Sequence, residues 1–293
     1  MKEITRKQFL LSLIGAGVSA LGYGHFVEPR WLEETRKRIP IAASLQHGLR
    51  ILQLSDLHAS SVVPFSLIEH AIDAGLSYSP DVICITGDFI TEKMPEARRY
   101  RKILRRLSDA APTFACLGNH DGGKWAKRRG GYSDTQKVER LLSQSGINCL
   151  MNETAGLNIR GNALFLVGLC DWWSGKMRAS SPFSPQNKNA QTLSNSTAKK
   201  TGDITIVLSH NPDTKKFIAG FDWDLLLCGH THGGQIRIPL MGAPFAPVED
   251  KRFVEGLHFW HERWLHISRG VGNVHGIRIN CRPEINVLDL VEA

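Results

Sequence analysis

Five short apolar runs along this chain each end in side chains that commonly bind metal ions. In chain order the endings are Asp56-x-His58, Gly-Asp88, Gly-Asn119-His120-Asp121, Ser-His210 and Gly-His230-Thr-His232. Carboxylate, imidazole and amide ligands without a thiolate suit Mn²⁺, iron or Zn²⁺ at a catalytic site better than a structural zinc site. The repeated pattern therefore predicts a catalytic metal centre, whereas a single histidine would be assigned no role.

The elements around these endings alternate between strand-like and helix-like patterns. Segments 65–77 and 97–108 have apolar side chains at helical spacing, and they separate the first three apolar runs. This alternation predicts an α/β fold in which the carboxyl ends of the strands meet at one edge and hold the site. The chain is richer in strands after Ile147, which predicts a second sheet packed on the first.

Composition excludes several classes of protein. Of the 293 residues, 42% are hydrophobic and 22% are charged, which excludes a disordered chain. A mean hydropathy of −0.18 excludes a polytopic membrane protein. Six cysteines without a Cys-x-x-Cys pair argue against a disulfide scaffold and favour a reducing compartment. The net charge of +8 favours an anionic partner such as a phosphate, an acidic lipid headgroup or nucleic acid, although a solvated basic surface would have the same charge.

The ordered set of endings resembles the calcineurin-like metallophosphoesterases over roughly residues 49–290. The sequences that begin at Gly229 and Ser268 resemble more narrowly the bacterial YaeI-type, membrane-associated phosphodiesterases of this family. The resemblance implies a four-layer α/β/β/α sandwich with a dinuclear metal site at the strand ends.

The resemblance also implies a ligand set for two divalent ions, with Mn²⁺ favoured and iron or Zn²⁺ as alternatives. The implied ligands are Asp56, His58, Asp88 and His232 for one ion, and Asp88, Asn119, His210 and His230 for the other. In this scheme a metal-bridging hydroxide attacks phosphorus, the Asn119 amide stabilises the developing charge, and His120 protonates the leaving group.

Other residues bear on the substrate. Thr91 stands where phosphatases of the family have an aspartate that pairs with the catalytic histidine, which argues against efficient hydrolysis of monoesters. Gln235, Arg237 and Arg278 follow the last metal motifs and are candidates for binding a substrate phosphate.

The resemblance implies an enzyme that hydrolyses phosphodiester or pyrophosphate bonds at a membrane, in a lipid-linked or nucleotide-linked lipid substrate. One alternative is the pyrophosphatase of lipid A biosynthesis that cleaves UDP-2,3-diacylglucosamine, because a related branch of the family has this activity. Alternatives of another class are a non-catalytic scaffold and a nucleic-acid binder. The chain has no aromatic stacking motif, so no specific nucleic-acid partner is expected.

Three regions are predicted along the chain. Residues 1–28 form a signal or membrane-anchor segment, residues 29–48 a linker, and residues 49–293 the metallophosphoesterase domain, in which 174–202 is a flexible insertion loop. The first segment is a cleaved signal, an uncleaved anchor or an amphipathic surface helix. It resembles a twin-arginine export signal, with Lys7 in the place of the second arginine. That lysine and the unpaired cysteines favour the cytoplasmic over the periplasmic face of the membrane.

Overall fold

A computed structural model of the protein describes residues 5–41, 45, 47–183 and 203–293. The helices are α1 (Arg6–Phe26), α2 (Phe65–Ser77), α3 (Ala97–Ala110), α4 (Lys124–Lys127) and α5 (Gln136–Gln144). The first six strands are β1 (Glu33–Pro40), β2 (Leu49–Leu54), β3 (Val82–Thr86), β4 (Thr113–Cys116), β5 (Asn148–Cys149) and β6 (Glu153–Ile159). The other six are β7 (Asn162–Gly168), β8 (Ile204–Leu208), β9 (Leu225–Cys228), β10 (Gly256–Trp260), β11 (Arg263–Ile267) and β12 (Glu284–Val291).

These strands form two mixed six-stranded sheets. The first has the order β1-β12-β2-β3-β4-β5, and the second has the order β10-β11-β9-β8-β7-β6. Strands β2 to β5 run parallel in the first sheet, and β7, β8, β9 and β11 run parallel in the second. Parallel pairing brings the carboxyl ends of neighbouring strands to the same edge, as the sequence pattern requires.

The two sheets pack face to face, and the apolar residues of their inner faces form a buried core. Helices α2, α3 and α5 cover the outer face of the first sheet with a second apolar cluster. Ile218, Trp223 and Phe253 cover the outer face of the second sheet from loops and turns. The predicted α/β sandwich of the metallophosphoesterase type is confirmed.

The segment predicted as a linker, 29–48, contains a strand. Residues Glu33–Pro40 form β1, which pairs in parallel with β12 along its whole length. The prediction is wrong over these residues because β1 is an edge strand in which only Ile39 is buried, so its charged side chains hide the apolar pattern of a strand. Residues 184–202 of the predicted insertion loop lie outside the described residues. Just before them, Phe183 stacks on Phe221 with ring centroids 4.6 Å apart.

Helix α1 precedes the sandwich and exposes most of its described side chains. Its first turn is closed by a capping box in which the Thr5 hydroxyl accepts a hydrogen bond from the Gln8 N–H and the Gln8 side chain accepts one from the Thr5 N–H. Among the described residues, no helix combines the length and apolar character needed to cross a bilayer. The assignment of 1–28 as a signal or anchor stays a prediction.

Two buried hydrogen bonds of Gln53 join the two sheets across the core. His266 on β11 donates from Nδ1 to the side-chain oxygen of Gln53 on β2 at 2.7 Å, and Gln53 donates to the Cys228 carbonyl at 2.8 Å. Both side chains are buried. Burial lowers the pKa of His266 from 6.5 to about 4, so its imidazole is neutral in the folded chain at neutral pH.

This pKa predicts a pH-dependent loss of stability. Between pH 6.5 and about 4 the unfolded chain binds a proton at His266 that the folded chain does not, so the free energy of unfolding falls as the pH falls. The difference between the pKa values of His266 in the unfolded and folded chain corresponds to about 3 kcal/mol of unfolding free energy. In urea titrations of the metal-free protein, we expect His266→Gln to show a shallower decline with falling pH than wild type. Identical declines in the two proteins would contradict this assignment.

Candidate active site

The structure brings the seven predicted metal ligands together at the carboxyl ends of both sheets. Three of the chain segments that carry them follow β2, β3 and β4 of the first sheet, and two follow β8 and β9 of the second. All seven side chains are buried. Residues more than 170 positions apart, such as His58 and His232, are in direct contact, so the site forms only when the two sheets pack together.

One group of ligands surrounds a point between the two sheets. The Nε2 atoms of His58 and His232 face each other at 3.2 Å. The Nε2 atom of His232 lies 3.4 Å from Oδ1 of Asp56, and that of His58 lies 3.4 Å from Oδ2 of Asp88. Two imidazole nitrogens and two carboxylates that converge in this way are a donor set for a divalent cation.

The second group begins at the same carboxylate. Oδ2 of Asp88 lies 3.1 Å from Nε2 of His210, which places Asp88 between the two groups. Oδ1 of Asn119 and Nε2 of His230 are buried and find no hydrogen-bond partner among the described residues. Buried polar atoms rarely lack a partner, and both atoms belong to the predicted ligand set. The residues therefore fit a second divalent ion.

Electrostatics favours the metal-binding form of His58, His230 and Asp88. Burial lowers the pKa of His58 to about 3 and that of His230 to about 3, so both rings are neutral near pH 7 and keep the lone pair that a metal needs. Burial by itself would raise the pKa of Asp88, but His210 and His120 hold it well below its usual value. The central carboxylate is thus ionised.

Five of the seven predicted ligands share an uncommon backbone conformation. Asp56, His58, Asp88, His230 and His232 all have a positive φ, between 46° and 71°. Non-glycine residues adopt this region infrequently, and such strain is concentrated at functional sites. These conformations direct the side chains inwards from loops that leave the strands sharply.

Two motif glycines are needed because the backbone lies against the carboxylates. A Cβ on Gly118 would come within 2.2 Å of Oδ1 of Asp88, and a Cβ on Gly229 within 2.2 Å of Oδ2 of Asp56. Any larger residue at either position would displace a predicted ligand. This explains why Gly-Asn-His-Asp and Gly-His-Thr-His each begin with glycine.

A sequence profile of the calcineurin-like phosphoesterases matches residues 49–234. This match covers more than half of the chain and contains all seven predicted ligands. The chain belongs to the calcineurin-like phosphoesterase family. It is therefore a metal-dependent phosphoesterase of a family that uses two divalent ions, consistent with the donor set described above.

Three relatives are similar to this chain over nearly its whole length. Phosphodiesterase YaeI of Escherichia coli is 40% identical, over 98% of this chain and 100% of the relative. The uncharacterized metallophosphoesterase YkuE of Bacillus subtilis is 28% identical over 99% of both chains. The UDP-2,3-diacylglucosamine pyrophosphatase LpxG of Chlamydia muridarum is 29% identical over 95% of both chains.

The catalytic histidine predicted from the family resemblance, His120, lies beside the metal ligands. Its Nδ1 donates to the backbone carbonyl of Thr91 at 2.7 Å, since a carbonyl only accepts. A backbone oxygen thus orients the ring at the position where the resemblance implies an aspartate side chain in phosphatases of the family. The neighbouring Asp121 instead accepts hydrogen bonds from the backbone N–H groups of Asp88, Phe89 and Gly118, at 2.8–2.9 Å. It ties two ligand loops together.

The three predicted substrate-binding residues have different surroundings. Gln235 lines the cleft above the ligands. Arg237 is not among the residues that line this cleft, and its guanidinium forms an ion pair with Glu255. Arg278 is fully buried, so the prediction that it binds substrate is wrong.

The guanidinium of Arg278 binds backbone carbonyl groups inside the protein. It donates to the carbonyls of Gly272 at 2.6 Å and Arg269 at 2.8 Å. The Gly272 N–H in turn donates to the Asp56 carbonyl at 2.7 Å. Arg278 therefore supports the loop that packs against the first metal-ligand segment. Carbonyl and phosphate oxygens attract the same donors, and sequence does not distinguish the two uses.

Two tryptophans missed by the sequence analysis form part of the cleft wall. The Trp125 ring packs edge-on against His120 with centroids 4.5 Å apart, and Trp173 packs against His230 at 4.4 Å. Trp125 follows the Gly-Asn-His-Asp motif by four residues. Trp173 lies just beyond β7, which neighbours β8, the strand followed by His210. Because the predicted ligands follow the carboxyl ends of strands, the position of Trp173 after β7 could have identified it as a residue of the site.

The end of α1 is connected to the predicted metal ligand His232 through buried contacts. Glu28, just after the helix, is buried and accepts a hydrogen bond from the Cys281 N–H. The Cys281 thiol donates to the His232 carbonyl at 3.0 Å. The N-terminal segment therefore supports the loop that carries His232.

This connection predicts that a change at Glu28 weakens metal binding. Glu28→Ala leaves the Cys281 N–H without its acceptor, at a cost of about 1–3 kcal/mol. We expect a loss of about 10–100-fold in Mn²⁺ affinity by calorimetric titration, as for other residues that orient a ligand. Glu28→Gln keeps an acceptor oxygen and should bind Mn²⁺ nearly as wild type does. Equal losses in both variants would refute the proposed role of the hydrogen bond.

Proposed function

We propose that this phosphoesterase hydrolyses phosphodiester or pyrophosphate bonds in a lipid-linked substrate at a membrane surface. The observation that carries the proposal is a cleft of about 300 Å³ that has predicted metal ligands at its base and apolar walls. The walls include Trp125, Trp173, Ile236, Phe245 and Val274. A polar reaction centre under apolar walls suits an amphiphile whose phosphate is near an apolar group.

The seven ligands would hold two divalent ions, for which Mn²⁺ is our first choice and iron or Zn²⁺ the alternatives. When bound, such ions supply Lewis-acid activation of the phosphoryl group and of water. The protein contributes the arrangement around them: Asp88 lies between the two ligand groups, and the Asn119 amide, which lines the cleft, would stabilise negative charge on the phosphoryl oxygens.

His120 is positioned to protonate the leaving group. Its Nδ1 is occupied by the Thr91 carbonyl, so in the imidazolium form Nε2 carries the proton available to the departing oxygen. Trp125 packs against the ring and restricts its orientation. Because a carbonyl carries no full charge, it stabilises the imidazolium less than an aspartate would. This supports diesters and pyrophosphates as substrates, in preference to monoesters.

The membrane part of the proposal rests on α1 and on the cysteines. Apolar side chains along the helix are exposed to solvent, at Phe9, Leu11, Ile14, Val18 and Leu21. We propose that α1 associates with the membrane and that the catalytic domain faces the cytoplasm. The absence of any disulfide among the six cysteines, all of which lie in the described part of the chain, supports a reducing compartment.

A more specific candidate substrate is UDP-2,3-diacylglucosamine. The support is the similarity over 95% of both chains to the relative named as a pyrophosphatase of that compound. Its diphosphate lies between a nucleoside and an acylated sugar. It therefore combines a polar end with an apolar end, as the cleft requires.

The test is Mn²⁺-dependent release of UMP from UDP-2,3-diacylglucosamine in detergent micelles, run beside hydrolysis of bis(p-nitrophenyl) phosphate. Metal-dependent turnover of both supports the lipid substrate. Turnover of the soluble diester alone would overturn the lipid proposal and leave a general phosphodiesterase. Chelation with EDTA should abolish both activities, and added Mn²⁺ should restore them.

A further inference from the structure

Exposed apolar side chains are concentrated on a loop beside the catalytic cleft. Residues 238–247, called the rim loop here, expose Leu240, Met241 and Phe245 at 108%, 68% and 71% of their reference areas. Loop tips usually carry small or polar residues. Three large apolar residues on one short loop indicate a surface that meets an apolar partner.

The rim loop is held in a defined shape. The Ile238 carbonyl accepts hydrogen bonds from the N–H groups of Met241 and Gly242, at 3.1 and 2.9 Å. Leu240 has a φ of 67°, a conformation uncommon for a side chain of this kind. The tight turn therefore places Leu240 and Met241 at its tip, directed away from the protein core.

The base of the rim loop is part of the catalytic cleft. Phe245 and Pro247 of the rim loop, and Ile236 just before it, line the same cleft as His120 and four of the predicted metal ligands. Leu240 and Met241 do not line it. A surface that receives the loop tip would thus lie at the cleft mouth without occupying the site.

The rim loop also lies next to the end of α1. The Arg278 N–H donates to the Gly24 carbonyl at 2.8 Å, and the Ile279 carbonyl accepts from the Arg237 N–H at 2.9 Å. The Ile279 side chain packs so closely on Gly24 that a Cβ there would come within 2.8 Å of it. One short segment, Arg278–Ile279, therefore separates the C-terminal end of the helix from the base of the rim loop.

The charged residues at both ends of α1 indicate which apolar partner this side of the protein contacts. Helix α1 contains no acidic residue, and Arg6 and Lys7 are exposed at its start. Arg30 lies at its other end, where its guanidinium donates to the Phe26 carbonyl at 2.8 Å. Apolar side chains flanked by exposed cations fit an anionic phospholipid surface, where cations bind headgroups and apolar side chains enter the acyl boundary.

We propose that the rim loop is a second membrane contact beside α1, so that the cleft opens against an anionic phospholipid surface and takes its substrate from the lipid phase. This inference rests on the proposed lipid-linked substrate and deepens it. It assigns to Leu240 and Met241 a role in reaching substrate that is separate from the chemistry.

The first test places an environment-sensitive fluorophore on the rim loop of the full-length, Mn²⁺-loaded protein. The label is attached at Leu240→Cys or, as a control, at Phe259→Cys, an exposed apolar position on β10. With vesicles of phosphatidylcholine and phosphatidylglycerol, we expect a blue shift of the fluorescence emission, and quenching by spin-labelled lipid, for the label at position 240 only. Vesicle-bound protein without a shift at 240, or with equal shifts at both positions, would overturn the proposal.

The second test separates membrane contact from catalysis. Leu240→Gln/Met241→Gln should lower the vesicle partition coefficient about 10–100-fold, because two apolar side chains no longer enter the lipid. Hydrolysis of a vesicle-embedded phosphodiester should fall in parallel, while hydrolysis of soluble bis(p-nitrophenyl) phosphate should stay at the wild-type rate. The control variant Phe259→Gln should have the partition coefficient and both hydrolysis rates of wild type. A parallel loss on the soluble diester would overturn the proposal.

The proposed function and this inference can fail separately. If wild type hydrolyses only the soluble diester, the lipid substrate is refuted, whatever the fluorophore reports. If lipid substrates are hydrolysed but the double variant partitions like wild type, the rim-loop contact is refuted while the proposed function stands.

Discussion

Asp88→Asn should lose both metal ions and nearly all activity. The Asp88 carboxylate lies between the two ligand groups, 3.4 Å from Nε2 of His58 and 3.1 Å from Nε2 of His210. An amide keeps the shape but loses the charge that two cations require. Because bound ions provide several kcal/mol of transition-state stabilisation, we expect kcat/KM to fall about 10³-fold or more.

Elemental analysis and kinetics on bis(p-nitrophenyl) phosphate check this result. Asp289→Asn is the matched control, since Asp289 pairs with Arg36 and Arg50 on the first sheet and contacts no predicted ligand in the described structure. It should retain two Mn²⁺ per chain and near wild-type turnover. An Asp88→Asn protein that still holds two ions would refute the central position of this carboxylate.

His120→Ala should reduce turnover while leaving the metal content unchanged. We expect a loss of about 10²–10⁴-fold in kcat, the usual contribution of a positioned acid. The loss should be larger for an alkyl diester than for bis(p-nitrophenyl) phosphate, because nitrophenolate leaves without protonation. This dependence on the leaving group distinguishes proton donation from a structural role.

The control for His120 is His261→Gln, at an exposed position in the turn between β10 and β11. It should behave as wild type with both substrates. Equal losses on the two substrates in His120→Ala would exclude proton transfer to the leaving group. Loss of bound Mn²⁺ in that variant would instead assign His120 to the metal site.

The position of the site in the fold could be predicted because its signals are local. Each ligand segment follows a short apolar run, and parallel pairing of such runs places their ends together. The glycines of Gly-Asn-His-Asp and Gly-His-Thr-His belong to the same local signal. The reason that glycine is required at these two positions is seen only in the tertiary structure, where Gly118 lies against Asp88 and Gly229 against Asp56.

Strand β1 could not be predicted from the periodicity of apolar residues. Its residues are mostly charged and exposed, and it is a strand because β12, some 250 residues later in the chain, offers a parallel partner. An edge strand buries little on its own, so its sequence resembles a linker. The domain consequently begins before Leu49, where apolar patterning would place its start.

The sequence by itself determined the family, the order of strands and helices around the site, and the types of the predicted metal-binding residues. These depend on side-chain chemistry and on short-range periodicity, both of which are properties of neighbouring residues. The tertiary structure alone decided that Arg278 holds backbone carbonyls inside the protein, that the Thr91 backbone orients His120, and that Trp173 faces His230. A guanidinium, a carbonyl or an indole can serve several partners, and only the packing of distant segments selects one.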